Sequence, residues 1–163
     1  MVIEQVGDIV SVDADIVAHQ TNYYGVMGAG VAWAIGSQLL PAAEYHKYTS
    51  ICVAYGKQLL GSMQILNQKI PGRYVANIFS QDEDKPECAT NYNALRMGLC
   101  SLEREARKKG LSVALPAKMG CGIAGGDWCT VRGIIGSVFD SSPVTCIIVS
   151  RDKDAEADPQ DTG

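Results

Sequence analysis

The chain has 163 residues, enough for one domain with a buried three-layer core. Hydrophobic residues make up 47% and charged residues 20%, the balance of a soluble globule rather than a disordered or fibrous chain, and a net charge of −4 argues against a bulk nucleic-acid partner, which needs a basic face. No signal-peptide pattern and no apolar run of membrane-spanning length occur, so the sequence reads as cytoplasmic, with no membrane partner and free thiols at its six cysteines. Those cysteines are scattered, without CxxC pairs or Cys/His clusters at zinc spacing, so neither a metal nor a cofactor is expected, and most of them read as small buried hydrophobes.

In chain order, Val2 to Gln5 and Ile16 to His19 read as short strands ending at polar or flexible loops. Val31, Ile35 and Leu39 recur at a helical period, and Pro41 restarts a helix whose stripe is Tyr45, Tyr48, Cys52 and Tyr55, stopping at Gly56. Ser62 to Asn67 and Tyr74 to Phe79 read as strands joined by a turn at Pro71-Gly72, followed by a polar loop from Ser80 to Glu87. Tyr92, Leu95, Leu99, Leu102 and Ala106 mark the clearest helix, with Glu103 able to pair with Arg107 and Gly110 as its stop. Ser112 to Pro116 is a strand, Val131, Ile134, Ile135 and Val138 lie on a helix, and Val144 to Val149 is the last strand. Alternating strands and helices imply an α/β sheet covered on both faces. The domain is expected over residues 1–150, with an acidic, disordered tail from Arg151 to Gly163.

Two glycine-rich loops carry the chemistry: Gly25 to Ala32 (GVMGAGVA) and Met119 to Trp128 (MGCGIAGGDW). Each sits between a strand and a helix, where glycine lets backbone N–H groups approach an anion and a helix N-terminus favours negative charge. Two such loops can clamp one phosphorylated ligand, a diphosphate being the natural guess. Gly120, Gly122 and Gly125 also match the dinucleotide-binding fingerprint by letter, with Asp152 as its acid, so a Rossmann oxidoreductase binding NAD is a remote alternative; that fingerprint normally opens its fold, whereas this one stands near the end of the chain. No Walker-type Gly-Lys-Ser/Thr occurs.

Gly7-Asp8-Ile9, Val17-Ala18-His19-Gln20-Thr21-Asn22, Gly28-Ala29-Gly30-Val31-Ala32, Leu115-Pro116 and Gly120-Cys121-Gly122-Ile123-Ala124-Gly125 follow one another in an order and spacing that resembles the macrodomain family over residues 1 to about 150. The resemblance implies a three-layer α/β/α sandwich around a mixed, mostly parallel sheet, acting as a monomer on ADP-ribose or a derivative, with ADP-ribosylated protein as a further partner class. It implies that Asp8 takes the adenine amino group with Ile9 beside the ring, that Gly28, Ala29, Gly30 and Val31 wrap the diphosphate and approach the distal ribose, that Gly120 to Gly125 oppose them, and that Asn22 lies at the distal ribose.

The stretch from His19 to Gly61 looks most like the ADP-ribose-1″-phosphate phosphatase branch, while the second loop looks equally like the branch that removes terminal ADP-ribose from proteins. The latter carries a lysine near Ser80 and an aspartate at Ala124, and a third branch carries an aspartate at Ala32; none is present here. The catalytic candidates are therefore His19, whose ordinary pKa suits proton transfer near neutrality, Asp127, the one carboxylate inside either loop, and Asn22. Asp127 also suits a helix N-cap, and Cys121 suits a small spacer better than a nucleophile. Val149 stands where the family often has an aromatic beside adenine, leaving Phe79 or Arg151 for that contact. The sequence thus reads as a hydrolase of a small ADP-ribose derivative, with a noncatalytic ADP-ribose module and a de-ADP-ribosylating hydrolase as alternatives.

Overall fold

The computed structural model describes residues 1–151. The tail expected beyond Arg151, and with it Asp152, lies outside the described residues. Six strands form one sheet: β1 (Val2–Val6), β2 (Ile16–Thr21), β3 (Met63–Asn67), β4 (Tyr74–Phe79), β5 (Val113–Pro116) and β6 (Cys146–Ser150). Their order is β1-β6-β5-β2-β4-β3, every neighbouring pair parallel except β3 with β4. The sheet is mixed and mostly parallel, as expected, and its order departs from the 3-2-1-4-5-6 of the Rossmann alternative.

Helices α1 (Gly30–Gln38) and α2 (Ala42–Tyr55) cover one face, where Ile35, Leu39, Tyr48 and Cys52 pack on Val17, Val75, Ala114 and Ile147. Helices α3 (Tyr92–Lys109) and α4 (Trp128–Phe139) cover the other, where Leu95, Leu99, Leu102, Ile134 and Ile135 pack on Ile16, Ala76, Leu115 and Ile148. Alternate residues of each strand serve opposite cores, which is why the central strands read as unbroken apolar runs. Each such fully buried Leu or Ile contributes roughly 1.5–3 kcal/mol of burial. α1 ends at Leu39 because Pro41 lacks an N–H and disfavours helical geometry at the residue before it. α3 keeps both of its sequence signals, Gly110 closing the helix at φ 69° and Arg107 reaching Glu103 at 2.9 Å, and adds one the sequence reading lacked, Asn91 Oδ1 accepting from Ala94 N at 3.0 Å as the N-cap.

Three expectations change. Tyr55, assigned to the stripe of α2, is exposed, while Glu44 turns inward and accepts from Asn67 N at 3.2 Å. Of the six cysteines only Cys52 and Cys146 are fully buried; Cys88 and Cys121 are half-buried and Cys100 and Cys129 exposed, because four of them fall on loops or outward helix faces. The loop after β4 is polar but not loose. Asp82 is buried, accepts from the Tyr23 hydroxyl at 2.9 Å and lies 3.6 Å from Lys57 Nζ.

Candidate functional site

β2 and β5 pair only at Ile16–Val113 and Val17–Ala114; beyond that register their carboxyl ends part. From there β2 leads into α1 on one face and β5 into α4 on the other, so a crevice opens at the point where adjacent crossovers diverge. A cleft of about 550 Å³ occupies it, lined by both glycine loops, by His19, Gln20 and Asn22 from the end of β2, and by Pro116, Ala117 and Lys118 after β5. A second cavity of about 190 Å³ shares Val31, Pro116, Ala117 and Lys118 with the first and adds Gly7, Ile9, Ala34, Val149, Ser150 and Arg151. Its walls are largely aliphatic and its size suits a flat base. The two together form one groove from an apolar end to a polar one.

The amides of the two loops are open toward the cleft. α4 is capped by Asp127 and α3 by Asn91, but the N-cap of α1 is Ala29, whose side chain has nothing to accept with. Among the described residues, no acceptor takes the N–H groups of Gly30, Val31 and Ala32, nor those of Gly122, Ile123 and Ala124 across the cleft. All six residues line it. Unpaired amides at a helix start and in a facing glycine loop make a concave anion site from backbone alone. The second loop is held in shape from behind. Ser80 Oγ donates to Gln20 Oε1 at 2.9 Å, Gln20 Nε2 to Thr90 Oγ1 at 3.1 Å, and Thr90 Oγ1 to Gly120 O at 2.6 Å. A Cβ at Gly120 would meet Gln20 Oε1 and Thr90 Oγ1 at 2.9 Å, and φ there is 75°, so this position admits only glycine without strain.

His19 is 1% exposed yet part of the cleft lining. Its Nε2 lies 2.8 Å from Asn77 Oδ1 and its Nδ1 has no partner. Burial pushes the imidazole down to about 4, against the Asn77 hydrogen bond that raises it. Burial thus opposes the charged imidazole that proton transfer near neutrality would pass through. Asn22 lines the cleft, but its Oδ1 already accepts from Tyr24 N at 3.1 Å and Tyr48 Oη at 2.9 Å, and its Nδ2 donates to Val26 O at 3.0 Å. One amide hydrogen remains for a ligand.

Other candidates fall elsewhere. Asp127 does not line the cleft; its carboxylate accepts from Thr130 N at 2.9 Å and Thr130 Oγ1 at 2.8 Å, which hold it below the usual carboxylate range and fix it as the α4 cap. Phe79 is 1% exposed and stacks on Tyr48 with ring centroids 6.1 Å apart, so it belongs to the core because strand alternation points it at α2. The Cys121 thiol turns out of the cleft toward Met119 O at 3.3 Å, and burial pushes it up to about 11, which leaves the residue a spacer. Gly125 supports the loop through a turn to Gly122 O at 3.0 Å rather than lining the cleft. Asp8 is exposed beside the aliphatic cavity, where Gly7 and Ile9 line it, and its carboxylate accepts from Val10 N at 3.1 Å. Where one branch carries its lysine, Ser80 is fully buried in the Gln20 network, and Ala124 brings no carboxylate, its carbonyl accepting from Ala89 N at 2.8 Å.

Sequence reasoning missed four polar side chains that line the cleft: Gln20, Gln81, Glu83 and Lys118. Gln20 lies inside one of the quoted motifs and Lys118 between two of them, a signal that was available. Glu83 lay in a stretch read only as polar loop, yet among the described residues it is the one carboxylate lining the cleft. Lys118 has φ 58°, a left-handed conformation that costs a non-glycine residue on the order of 1 kcal/mol or more.

No protein-family profile matches the chain, and no curated protein does. Solved structures match over nearly its whole length. The macrodomain of Mycobacterium tuberculosis DarG superposes with a TM-score of 0.78 at 23% identity, covering 92% of this chain and 97% of its own. A macrodomain protein from Streptomyces coelicolor gives 0.72 at 24% identity, covering 91% and 98%. Thermosipho africanus DarTG in complex with ADP-ribose gives 0.72 at 19% identity, covering 96% of this chain and 45% of that one. At these identities the likeness is one of fold.

Proposed function

We propose that this chain, which has the macrodomain fold, binds ADP-ribose in the groove between its two glycine loops. The observation that carries the reading is the pair of facing amide sets, Gly30 to Ala32 and Gly122 to Ala124, continuous with an aliphatic cavity of base size. Adenine occupies the cavity of Ile9 and Val149 with Asp8 at its edge, the diphosphate lies between the amide sets, and the distal ribose extends toward His19, Asn22 and Glu83. The complex of Thermosipho africanus DarTG with ADP-ribose, a protein of the same fold, supports this ligand. Titration calorimetry is expected to rank ADP-ribose above ADP and ADP above AMP. Equal binding of all three, or none, overturns the reading.

The bound derivative that suits the polar end is the 1″-phosphate monoester. Water attacks phosphorus, the bond from phosphorus to the ribose 1″ oxygen breaks, and that oxygen takes up a proton as it leaves. Glu83, a carboxylate lining the cleft, accepts the proton of the attacking water and returns it to the departing ribose oxygen. Phosphate release from ADP-ribose-1″-phosphate tests this step; Glu83→Gln is expected to lower it at least tenfold and Asp127→Asn to leave it within twofold. Binding without release selects the noncatalytic module instead, a reading favoured by the low basicity that burial gives His19.

Lys118 lines both cavities, and a positive charge there would favour the diphosphate. Its strained backbone and its charge separate cleanly in one variant. Lys118→Gly is expected to raise stability by up to about 1 kcal/mol as the left-handed strain is relieved, while lowering ADP-ribose affinity about tenfold and flattening its salt dependence. Thermal unfolding and calorimetry at two salt concentrations read the two effects.

A further inference from the structure

One row of the α1/α2 face breaks the apolar pattern of the sheet. His19 on β2 is the register partner of Asn77 on β4, and Asn77 is the register partner of Gln64 on β3. All three alternate with core residues of that face, Val17, Val75 and Leu66. Asn77 is wholly buried, and its Nδ2 donates to Gln64 Oε1 at 3.1 Å. That donation turns Asn77 Oδ1 toward His19 Nε2, 2.8 Å away, so Nε2 carries the imidazole hydrogen and Nδ1 keeps its lone pair. Nδ1 is buried without a partner on a ring that lines the cleft. An unsatisfied nitrogen at that depth is unfavourable in the free protein, and a donor arriving with a ligand would satisfy it.

We propose that Asn77 and Gln64 are positioning residues that hold His19 in its Nε2–H form, so that Nδ1 accepts a hydrogen bond from a hydroxyl of the distal ribose. This rests on the reading of the cleft as an ADP-ribose site, and it adds a selectivity device: the cleft distinguishes ligands that carry a hydroxyl-bearing group beyond the diphosphate from those that end there. The row also explains why a histidine this buried takes an asparagine partner. An aspartate in its place would draw the ring toward its charged form and give Nδ1 a hydrogen, turning an acceptor into a donor.

Long-range proton–nitrogen correlation spectra of the free protein read the tautomer directly. The expected pattern is a protonated Nε2 and an unprotonated Nδ1 for His19 in the wild type. Gln64→Met releases the Asn77 amide to turn over and is expected to populate the Nδ1–H form. Asn77→Leu is expected to lower ADP-ribose affinity about tenfold while leaving ADP, which lacks the distal ribose, unchanged. If Asn77→Leu does not fold, Gln64→Met on the edge strand carries the same comparison of ADP-ribose with ADP. A wild-type Nδ1–H overturns the proposal whether or not ADP-ribose binds, as does a variant whose tautomer changes while its preference for ADP-ribose over ADP does not. Failure of the wild type to bind either nucleotide overturns the reading of the cleft, and with it the ribose contact, but leaves the tautomer measurement to decide the role of Asn77.

Discussion

Gly122→Glu is expected to lower ADP-ribose affinity about a hundredfold with an unchanged melting temperature. A Cβ at Gly122 meets nothing within 4 Å and the backbone there needs no left-handed conformation, so the fold accepts the side chain. The carboxylate it carries stands among the unpaired amides of the second loop, where it competes for the same donors and repels a diphosphate. Two like charges about 4–5 Å apart near a protein surface oppose each other by roughly 3–4 kcal/mol, of which solvent and salt leave enough for a factor of about 100. Gly122→Gln is the control: it keeps the bulk, loses the charge and is expected to retain most of the affinity. Equal loss in both variants would make the effect steric and would count against an anion between the loops.

Acid lability centred on His19 is the second large effect. In the unfolded chain its imidazole titrates near 6.5, and burial holds it at about 4 in the folded protein. Between those values the unfolded state binds a proton that the folded state refuses. Stability from this residue is therefore complete above about pH 6.5 and is lost as the pH falls toward 4, by about 3 kcal/mol in all. Glu44 and Glu103, held below the usual carboxylate range by Lys47 and Arg107 respectively, and Asp82, held there by Tyr23 and the Asp84 amide against its own burial, act in the same direction but at lower pH, where carboxylates titrate. Urea unfolding of the wild type and His19→Gln from pH 7 to 4.5 isolates the histidine. The wild type is expected to lose stability steeply over that range and the variant to follow a shallower line. Parallel lines would mean that the folded protein lets the imidazole take a proton as readily as the unfolded chain does, and would count against its burial as a neutral ring.

How far the sequence carried the structure depended on whether a signal was local. Gly110 and the Glu103–Arg107 pair define α3 by short-range chemistry, and each stands where the residue pattern placed it. The two glycine loops are local in the same sense, since their position between strand and helix follows from apolar periodicity on either side. Side-chain direction is another matter. His19 within β2 and Phe79 at the end of β4 lie on the same face of the sheet, but strand pairing and the depth of α2 decide that one borders the cleft and the other packs on Tyr48. Asp127 and Glu83 invert the expectation for a similar reason. A carboxylate inside a loop motif was spent on capping α4, while one in an unremarked loop was carried to the cleft by the ties of Asp82 to Tyr23 and Lys57. Only long-range contacts contain that information.

The strained and unsatisfied features gather in one place. Lys118 in a left-handed conformation, an uncapped α1, open amides in the second loop and the unpartnered His19 nitrogen all face the same groove, while α3 and α4 are capped and the cores on both faces of the sheet are tightly filled. Such costs persist where the surrounding fold holds them, and a ligand that supplies an anion at one point and a hydroxyl donor at another would relieve most of them together.

Amide chemical shifts during titration with ADP-ribose test the central claim most directly. The account predicts that the N–H groups of Gly30, Val31 and Ala32 and those of Gly122, Ile123 and Ala124 move together, with one dissociation constant, as the diphosphate takes hydrogen bonds from both loops. Shifts confined to the aliphatic cavity around Ile9 and Val149, or to one loop alone, would contradict it.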